Sequence, residues 1–271
     1  ELPLRAQANH HYVERVENAD PRGTIGKAIR HYYEARSEAA VASERIKREL
    51  PTDRRLIVAQ RGGSGSLDYS PNGPMSREEL ELVSQHFDTL LLPGLLPGRE
   101  IKQDETWKVS PETAQRACHF DGIISANLEG KLTALTENQA TFTITGTVEG
   151  IEAGAQVKVT LAASGQFDRG TRRITALRWE QSDARSQGPT SPASELKAVI
   201  EVKRSVLTEE PKELSPEIRA RVPADDQVPE INKQLRYSEP ASLYQFVYPR
   251  EWHIVGRTAE HLVLRLIENG E

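Results

Sequence analysis

Residues 124–167 read ISANLEGKLTALTENQATFTITGTVEGIEAGAQVKVTLAASGQF, and this stretch decides the fold class of the chain. Apolar or small residues fall at even positions from 124 to 134 and from 140 to 148, and at odd positions from 155 to 167. A period of two residues is typical of a strand with one buried and one solvated face. The stretch therefore predicts three consecutive antiparallel strands of one long meander, which has a wet face and a dry face.

The segments around the meander predict further strands and two short helices. Ser76 and Glu79 form a capping-box pair, and Ser110 followed by Pro111 is a second helix start. Meander strands of about twelve residues would be about 40 Å long at ~3.3 Å per residue, and strands of that length usually coil. We therefore expect an α+β fold in which a long curved antiparallel meander carries a few short covering helices. The segment from residue 2 to about residue 41 is polar but strand-like, with a turn signal at 20–23 and an apolar alternation at 31–41. Further strands are predicted at 55–60, 67–69, 174–179 and 196–202.

Composition limits the classes of function that the chain can have. It has 271 residues, 28 % of them charged, and a mean hydropathy of −0.57, so one large or two ordinary domains are expected. A net charge of −5 argues against a general nucleic-acid binder, and no apolar run is long enough to cross a bilayer. Cys118 is the only cysteine, which excludes an intrachain disulfide and a cysteine-based zinc site.

Changes in composition along the chain predict three regions. Residues 1–206 are expected to form the antiparallel-sheet domain. Residues 207–240 hold five prolines among many charges and indicate a semi-rigid linker. Residues 241–271 carry two strand-like runs, which is too little for a stable domain, so we expect the incomplete start of a second β-rich domain. Because the chain also begins with Glu1 rather than Met, we expect a removed leader or a fragment, with the tail docked loosely or not at all.

The dry face of the meander is the candidate binding surface. It mixes small residues with large apolar ones, and this pattern has two readings. Small residues let a helix approach and cover a core, or they leave a cleft for an apolar ligand. The second reading makes the following residues the ligand-binding face: Leu128, Leu132, Phe142, Val157, Val159, Leu161 and Phe167.

Residues that could carry chemistry do not form a recognisable catalytic or metal-binding pattern. Cys118, His119 and Asp121 have the residue types of a thiol triad, but adjacent side chains point apart, so Cys118 is expected to be a buried structural residue. His10 and His11 are vicinal on a predicted strand and should face opposite sides. The sequence therefore predicts no catalytic residue, no metal and no cofactor.

The sequence contains the runs RRLIV (54–58), GPMSREEL (73–80), DETWK (104–108), FD (120–121), GTVEG (146–150), QFD (166–168) and RI (173–174). These runs resemble a group of uncharacterised exported bacterial β-rich proteins, and the resemblance covers most of 25–205. The tail, with Phe246, Tyr248-Pro249 and Trp252 followed by VLRL at 263–266, is similar to the opening strands of PsbP-like domains. These resemblances imply export, a truncated C-terminus, and a binding or assembly role rather than catalysis.

Three functions remain open at this point. The first is a non-enzymatic exported protein of the cell envelope, periplasmic or extracellular, that binds an unidentified partner protein or an apolar ligand through its curved sheet. The second is a hydrolase whose active site is built from loops and is not visible in the sequence. The third is an intracellular scaffold. The long two-faced meander without a catalytic pattern favours the first.

Overall fold

The computed structural model describes residues 3–19, 25–61, 66–84, 88–188, 192–224, 227–241, 243–258 and 261–266. This part of the chain consists mainly of antiparallel strands with a few short helices. It falls into two compact units. Unit 1 takes in 1–19, 25–85 and 209–267, and unit 2 is formed chiefly by 86–208.

The strands and helices have the following bounds. The strands are β1 (Leu4–Ala19), β2 (Ile25–Val41), β3 (Glu44–Glu49), β4 (Leu56–Arg61), β5 (Ser66–Tyr69), β6 (Thr106–Lys108), β7 (Gly122–Leu135), β8 (Gln139–Glu152), β9 (Ala155–Asp168), β10 (Arg173–Arg185), β11 (Ser194–Lys203), β12 (Gln234–Ser238), β13 (Gln245–Pro249), β14 (Trp252–Arg257) and β15 (Leu262–Leu266). The helices are α1 (Arg77–Val83), α2 (Pro111–Ala117) and α3 (Pro216–Arg219), with 3₁₀ segments at Thr52–Arg54, Thr89–Leu95, Lys212–Leu214 and Glu230–Lys233. None of the described helices is long and apolar enough to cross a membrane.

Unit 2 is built on the predicted meander, which is confirmed. Its six-stranded sheet runs in the order β11-β10-β9-β8-β7-β6, and consecutive strands pair antiparallel. The register places Leu132 beside Phe142, Phe142 beside Gly165, and Gly165 beside Leu177. These residues share one face, which is the predicted dry face.

The alternation fails at the two ends of β7. Residue 124 was expected on the dry face, but Ile124 is 54 % exposed, and Ala134 is also exposed. The pairing of β7 with β8 shifts between Ile123 and Ser125 and again between Leu132 and Ala134. Each irregularity adds a residue to one strand, so the side-chain parity changes at that point. Ile123 then packs against the core in place of Ile124.

The two helix starts predicted from sequence are confirmed. Before α1, the Ser76 hydroxyl accepts from the Glu79 N–H (3.1 Å), and the Glu79 carboxylate accepts from the Ser76 N–H (2.9 Å). Before α2, the Ser110 hydroxyl accepts from the Thr113 N–H at 3.2 Å. Both caps satisfy amides that have no partner within the helix.

Unit 1 has a five-stranded sheet, in which β1, β2, β4 and β5 are successive neighbours and β3 pairs with the far part of β2. The grouping into units does not follow the predicted boundaries, because the segment expected as a linker packs into this unit. Leu214, Val222 and Val228 are buried in a core cluster with Ile29 and Val58 of the sheet. Five prolines in the segment therefore do not keep its apolar side chains on the surface.

The described part of the tail also contacts unit 1, unlike the loosely docked fragment expected from sequence. β13 pairs with β12, and β14 pairs with β15. The guanidinium of Arg77 donates to the carbonyls of Arg250 and Trp252, the latter at 3.0 Å. Arg250 in turn donates to the carbonyls of Asp68 and Asn232, each at 2.9 Å.

Phe142 provides a test of the buried face. Its side chain is 2 % exposed, so we expect Phe142→Ala to lower the free energy of unfolding. Truncation of a buried phenylalanine typically costs about 3–5 kcal/mol. Thr145→Ala, at an exposed position of the same strand, should change it by less than about 0.5 kcal/mol. Chemical denaturation measures both, and equal small effects would contradict the assignment of the faces.

Candidate functional site

The predicted ligand-binding face is filled by side chains of unit 2 itself. Phe167 is half-buried and packs at the margin of this cluster. Leucines of the 3₁₀ segment 89–95, Trp107 of β6 and Phe120 after α2 belong to the same core cluster. The other six predicted residues are each less than 5 % exposed: Leu128, Leu132, Phe142, Val157, Val159 and Leu161.

Glycines on this face make room for aromatic rings. A Cβ placed on Gly130 would lie 2.1 Å from the indole of Trp107, and one on Gly165 would lie 2.3 Å from the ring of Phe142. A Cβ on Gly150 would lie 2.1 Å from the ring of Phe120. The small residues that suggested a cleft therefore accommodate aromatic side chains, and the helix-covered core is the reading that fits the geometry.

A chain of polar groups crosses the dry face along β10, and sequence reasoning missed it. The indole N–H of buried Trp179 donates to the side-chain oxygen of Gln181 (2.8 Å). The Gln181 amide donates to both carboxylate oxygens of Asp183, each at 2.9 Å. Residues 179, 181 and 183 all lie on the dry face. The only sequence signal for this network was that two successive dry-face positions, 181 and 183, hold polar residues. These hydrogen bonds satisfy the buried side-chain amide of Gln181, whose burial without partners would cost free energy.

Cys118 is buried, as predicted, and its surroundings disfavour the thiolate form. Burial raises the pKa of its thiol to about 12, and the negative charge of Asp183 acts in the same direction. Because the thiolate is the reactive form of a cysteine, this raised pKa lowers the reactivity of Cys118 at neutral pH.

Unit 1 contains a buried charged cluster around Arg30, which the sequence analysis did not identify. Arg30 is 1 % exposed; its guanidinium donates to the Glu14 carboxylate at 2.9 Å and lies 3.9 Å from an oxygen of Asp68. It also lies over the ring of Tyr12, 5.5 Å from the centroid. Removing one member of such a cluster leaves an uncompensated buried charge, which typically costs about 3–5 kcal/mol of stability.

His10 and His11 face different surroundings, as predicted for vicinal residues on a strand. The His10 Nε2 bonds the Leu82 carbonyl at 2.7 Å, whereas the His11 ring lies 5.1 Å from that of Tyr33. The Tyr33 hydroxyl donates to the Glu213 carboxylate at 3.1 Å, and burial together with this carboxylate raises the pKa of Tyr33.

No group of three or more His, Cys, Asp or Glu side chains within the described residues could hold a metal ion.

A cleft of about 380 Å³ lies in unit 1, away from the face predicted to bind a ligand. It opens at the end of β4 and is bordered by residues of the segment after α3. Its lining is mixed rather than apolar: Gln60, Arg61, Leu67, Gln227, Val228, Glu230 and Lys233.

The edge strand β11 of the unit 2 sheet carries two exposed apolar side chains. Among the described strands, β11 ends the sheet and pairs only with β10. Val199 is 57 % exposed on its wet face and Leu196 is 44 % exposed on its dry face. An edge strand presents a row of backbone N–H and C=O groups to any strand that can join it. Sequence reasoning identified this strand but had no signal that it stands at the edge.

Comparisons of this chain with family models, with curated proteins and with solved structures find no match. The geometry of the two units is therefore the basis for a functional proposal.

Gly130 tests whether the dry face is filled. Gly130→Ala would place a methyl group against the indole of Trp107, and overpacking of this kind costs about 1–3 kcal/mol. Gly122→Ala, on the same strand with no atom within 4 Å of the new Cβ, is the matched control and should not destabilise. If the two substitutions had equal effects on unfolding, the face would have room for a ligand.

The histidines of unit 1 predict a pH dependence of stability. Burial is the main factor that lowers the pKa of His10, His31 and His253 below the usual 6.5. The unfolded chain therefore binds more protons just below pH 6.5, so the free energy of unfolding should fall as the pH falls through that window. His10→Gln keeps a donor for the Leu82 carbonyl and should make this fall shallower. Identical pH profiles of the two chains, measured by denaturation between about pH 7.5 and 5.5, would contradict the assignment for His10.

Proposed function

We propose that this chain is a non-enzymatic, exported binding protein of the cell envelope, and that it engages a partner protein by adding a strand of the partner to β11. The observation that carries the proposal is the ten-residue edge of the unit 2 sheet, with Leu196 and Val199 exposed on its two faces. Export and the cell envelope come from the resemblance to exported bacterial proteins. We also propose that the long sheet of unit 2 is curved.

The pairing of β11 with β10 determines which backbone groups are available at the edge. The Arg204 N–H donates to the Thr175 carbonyl at 2.7 Å, and these two residues continue by one position the register that begins with Ala176 beside Lys203. In an antiparallel pair, directly opposed residues exchange bonds at every second position. Even-numbered residues of β11 therefore bond β10, and the odd-numbered residues from 195 to 203 direct their N–H and C=O groups outward.

The sequence-based hypothesis left open whether the protein binds a partner protein or an apolar ligand. Binding of a partner protein has more support. A ligand on the dry face would have to displace Trp107 and the leucines of 89–95, which already fill it. A strand added to β11 would use an edge that pairs with no other described strand. Strand addition gains main-chain hydrogen bonds along the whole edge, and alternate side chains provide specificity.

Val199→Pro tests this mode of binding. The Val199 N–H points away from β10, so proline removes an outward donor without breaking a bond within the sheet. We expect a photo-crosslinker at position 197, in host cells that express the complete gene, to give discrete protein adducts. Val199→Pro should abolish them, and Val199→Thr, which keeps the N–H and the branched shape, should retain them.

Two outcomes would contradict the proposal. Adducts that survive Val199→Pro would mean that the partner does not use the edge backbone. Equal adducts from position 145, exposed on the wet face of β8, would mean that the contact is not specific to the edge. Thermal unfolding of each variant shows whether the fold is retained.

A further inference from the structure

We infer that the partner strand is β11 of a second copy of this chain, paired antiparallel about a two-fold axis at Val199. This inference rests on the proposed function, because it names the partner of the same edge. The supporting feature is the sequence of β11, SELKAVIEVK at 194–203, in which charges of opposite sign stand at equal distances from Val199.

The two-fold arrangement pairs residues that are equally far from Val199. Glu195 of one copy lies opposite Lys203 of the other, and Lys197 lies opposite Glu201. Val199 lies opposite Val199. All of these residues are odd-numbered, and their backbone groups point outward, so each pair can exchange the bonds that an antiparallel ladder requires.

Neighbouring registers are disfavoured by like charges. An axis at Ala198 would place Glu195 opposite Glu201, and an axis at Ile200 would place Lys197 opposite Lys203. Like charges directly opposite one another destabilise a strand pair, whereas opposite charges stabilise it. An axis between two residues would place outward groups opposite inward ones. An axis at 197 or 201 would place Lys197 or Glu201 opposite itself. Among the registers centred on residues 197 to 201, only the one at Val199 is therefore without a like-charge pair.

The same register joins the apolar faces of the two copies. On the dry side Leu196 lies opposite Val202, and Ala198 lies opposite Ile200. Ile200 and Val202 already pack at the margin of the unit 2 core, and Leu196 is 44 % exposed. Pairing would cover Leu196 and continue one core into the other. On the wet side, Lys197 of the second copy would join Glu201, which bonds Arg178 of its own chain at 2.5 Å.

Sedimentation of the full chain over a range of concentrations tests the inference. We expect a reversible monomer–dimer equilibrium, weak because a single strand pair buries less area than a standard interface. Val199→Pro should leave only monomer, and Val199→Thr should retain the dimer. Glu195→Lys or Lys203→Glu alone creates two like-charge pairs and should raise the dissociation constant about tenfold. The double swap Glu195→Lys with Lys203→Glu should restore it.

Site-specific disulfide formation tests the register directly. Val199→Cys places two thiols opposite each other at about 5.5 Å between Cα atoms, within the range that a disulfide bridges. Oxidised glutathione should therefore link the two copies. Lys197→Cys is the matched control and should not link to itself, because it lies opposite Glu201. Cys118 is buried and does not compete.

The outcomes separate this inference from the proposed function. A chain that stays monomeric at all concentrations, while position 197 still gives adducts with another protein, would overturn the self-pairing and leave the proposed function standing. A dimer that ignores the charge swap, or that links equally well through position 197, would overturn the register. If the chain without Val199→Pro gave no adducts from position 197, neither with another protein nor between two copies, both the self-pairing and the proposed function would be overturned.

Discussion

The packing of three aromatic rings onto glycines is the constraint on which the rest of unit 2 depends. Trp107, Phe120 and Phe142 each occupy space that a Cβ at the facing glycine would need. Protein interiors are packed densely enough that such a contact leaves no room for adjustment. The indole N–H of Trp107 also donates to the Leu95 carbonyl at 2.9 Å, which holds the covering segment in place. The long sheet is thereby closed on one face by its own chain.

Closing that face moves the available interaction surface to the edge of the sheet. Edge lysines usually protect a sheet from unwanted pairing, and Lys197 and Lys203 fit that role. In β11, however, each lysine has a glutamate at the mirror position about Val199. The same charges that repel most strands therefore fit a second copy in one register. The same four side chains thus attract a second copy and disfavour other strands: Glu195, Lys197, Glu201 and Lys203.

The sequence predicts unit 2 better than unit 1 for physical reasons. Alternation through 124–167 is a local pattern, and so are the caps at Ser76 and Ser110, so the three strands and both caps were predicted correctly, whereas the face of Ile124 and Ala134 was not. The burial of Leu214 among residues from β2 and β4 is a long-range contact with no local signal. The bulge that exposes Ile124 inserts a residue without a special amino-acid type to mark it.

The candidate site shows the same division. Sequence alone identified which residues share the dry face, but it could not show whether the face was covered, because the covering rings come from other segments. It also contained the mirror charges of β11, whose meaning depends on knowing that the strand stands at an edge. The buried charged cluster around Arg30 had no sequence signal either, because a charged residue in a strand ordinarily indicates a solvated position.

Residue-resolved hydrogen exchange along β11, measured by NMR at increasing protein concentration, tests the central claim most directly. The even-numbered amides from 196 to 202 bond β10 and should be protected at every concentration. The odd-numbered amides from 195 to 203 should exchange rapidly in the dilute chain and become protected as the concentration rises. Odd-numbered amides that exchange rapidly at every concentration would contradict the account of β11 as a self-pairing edge.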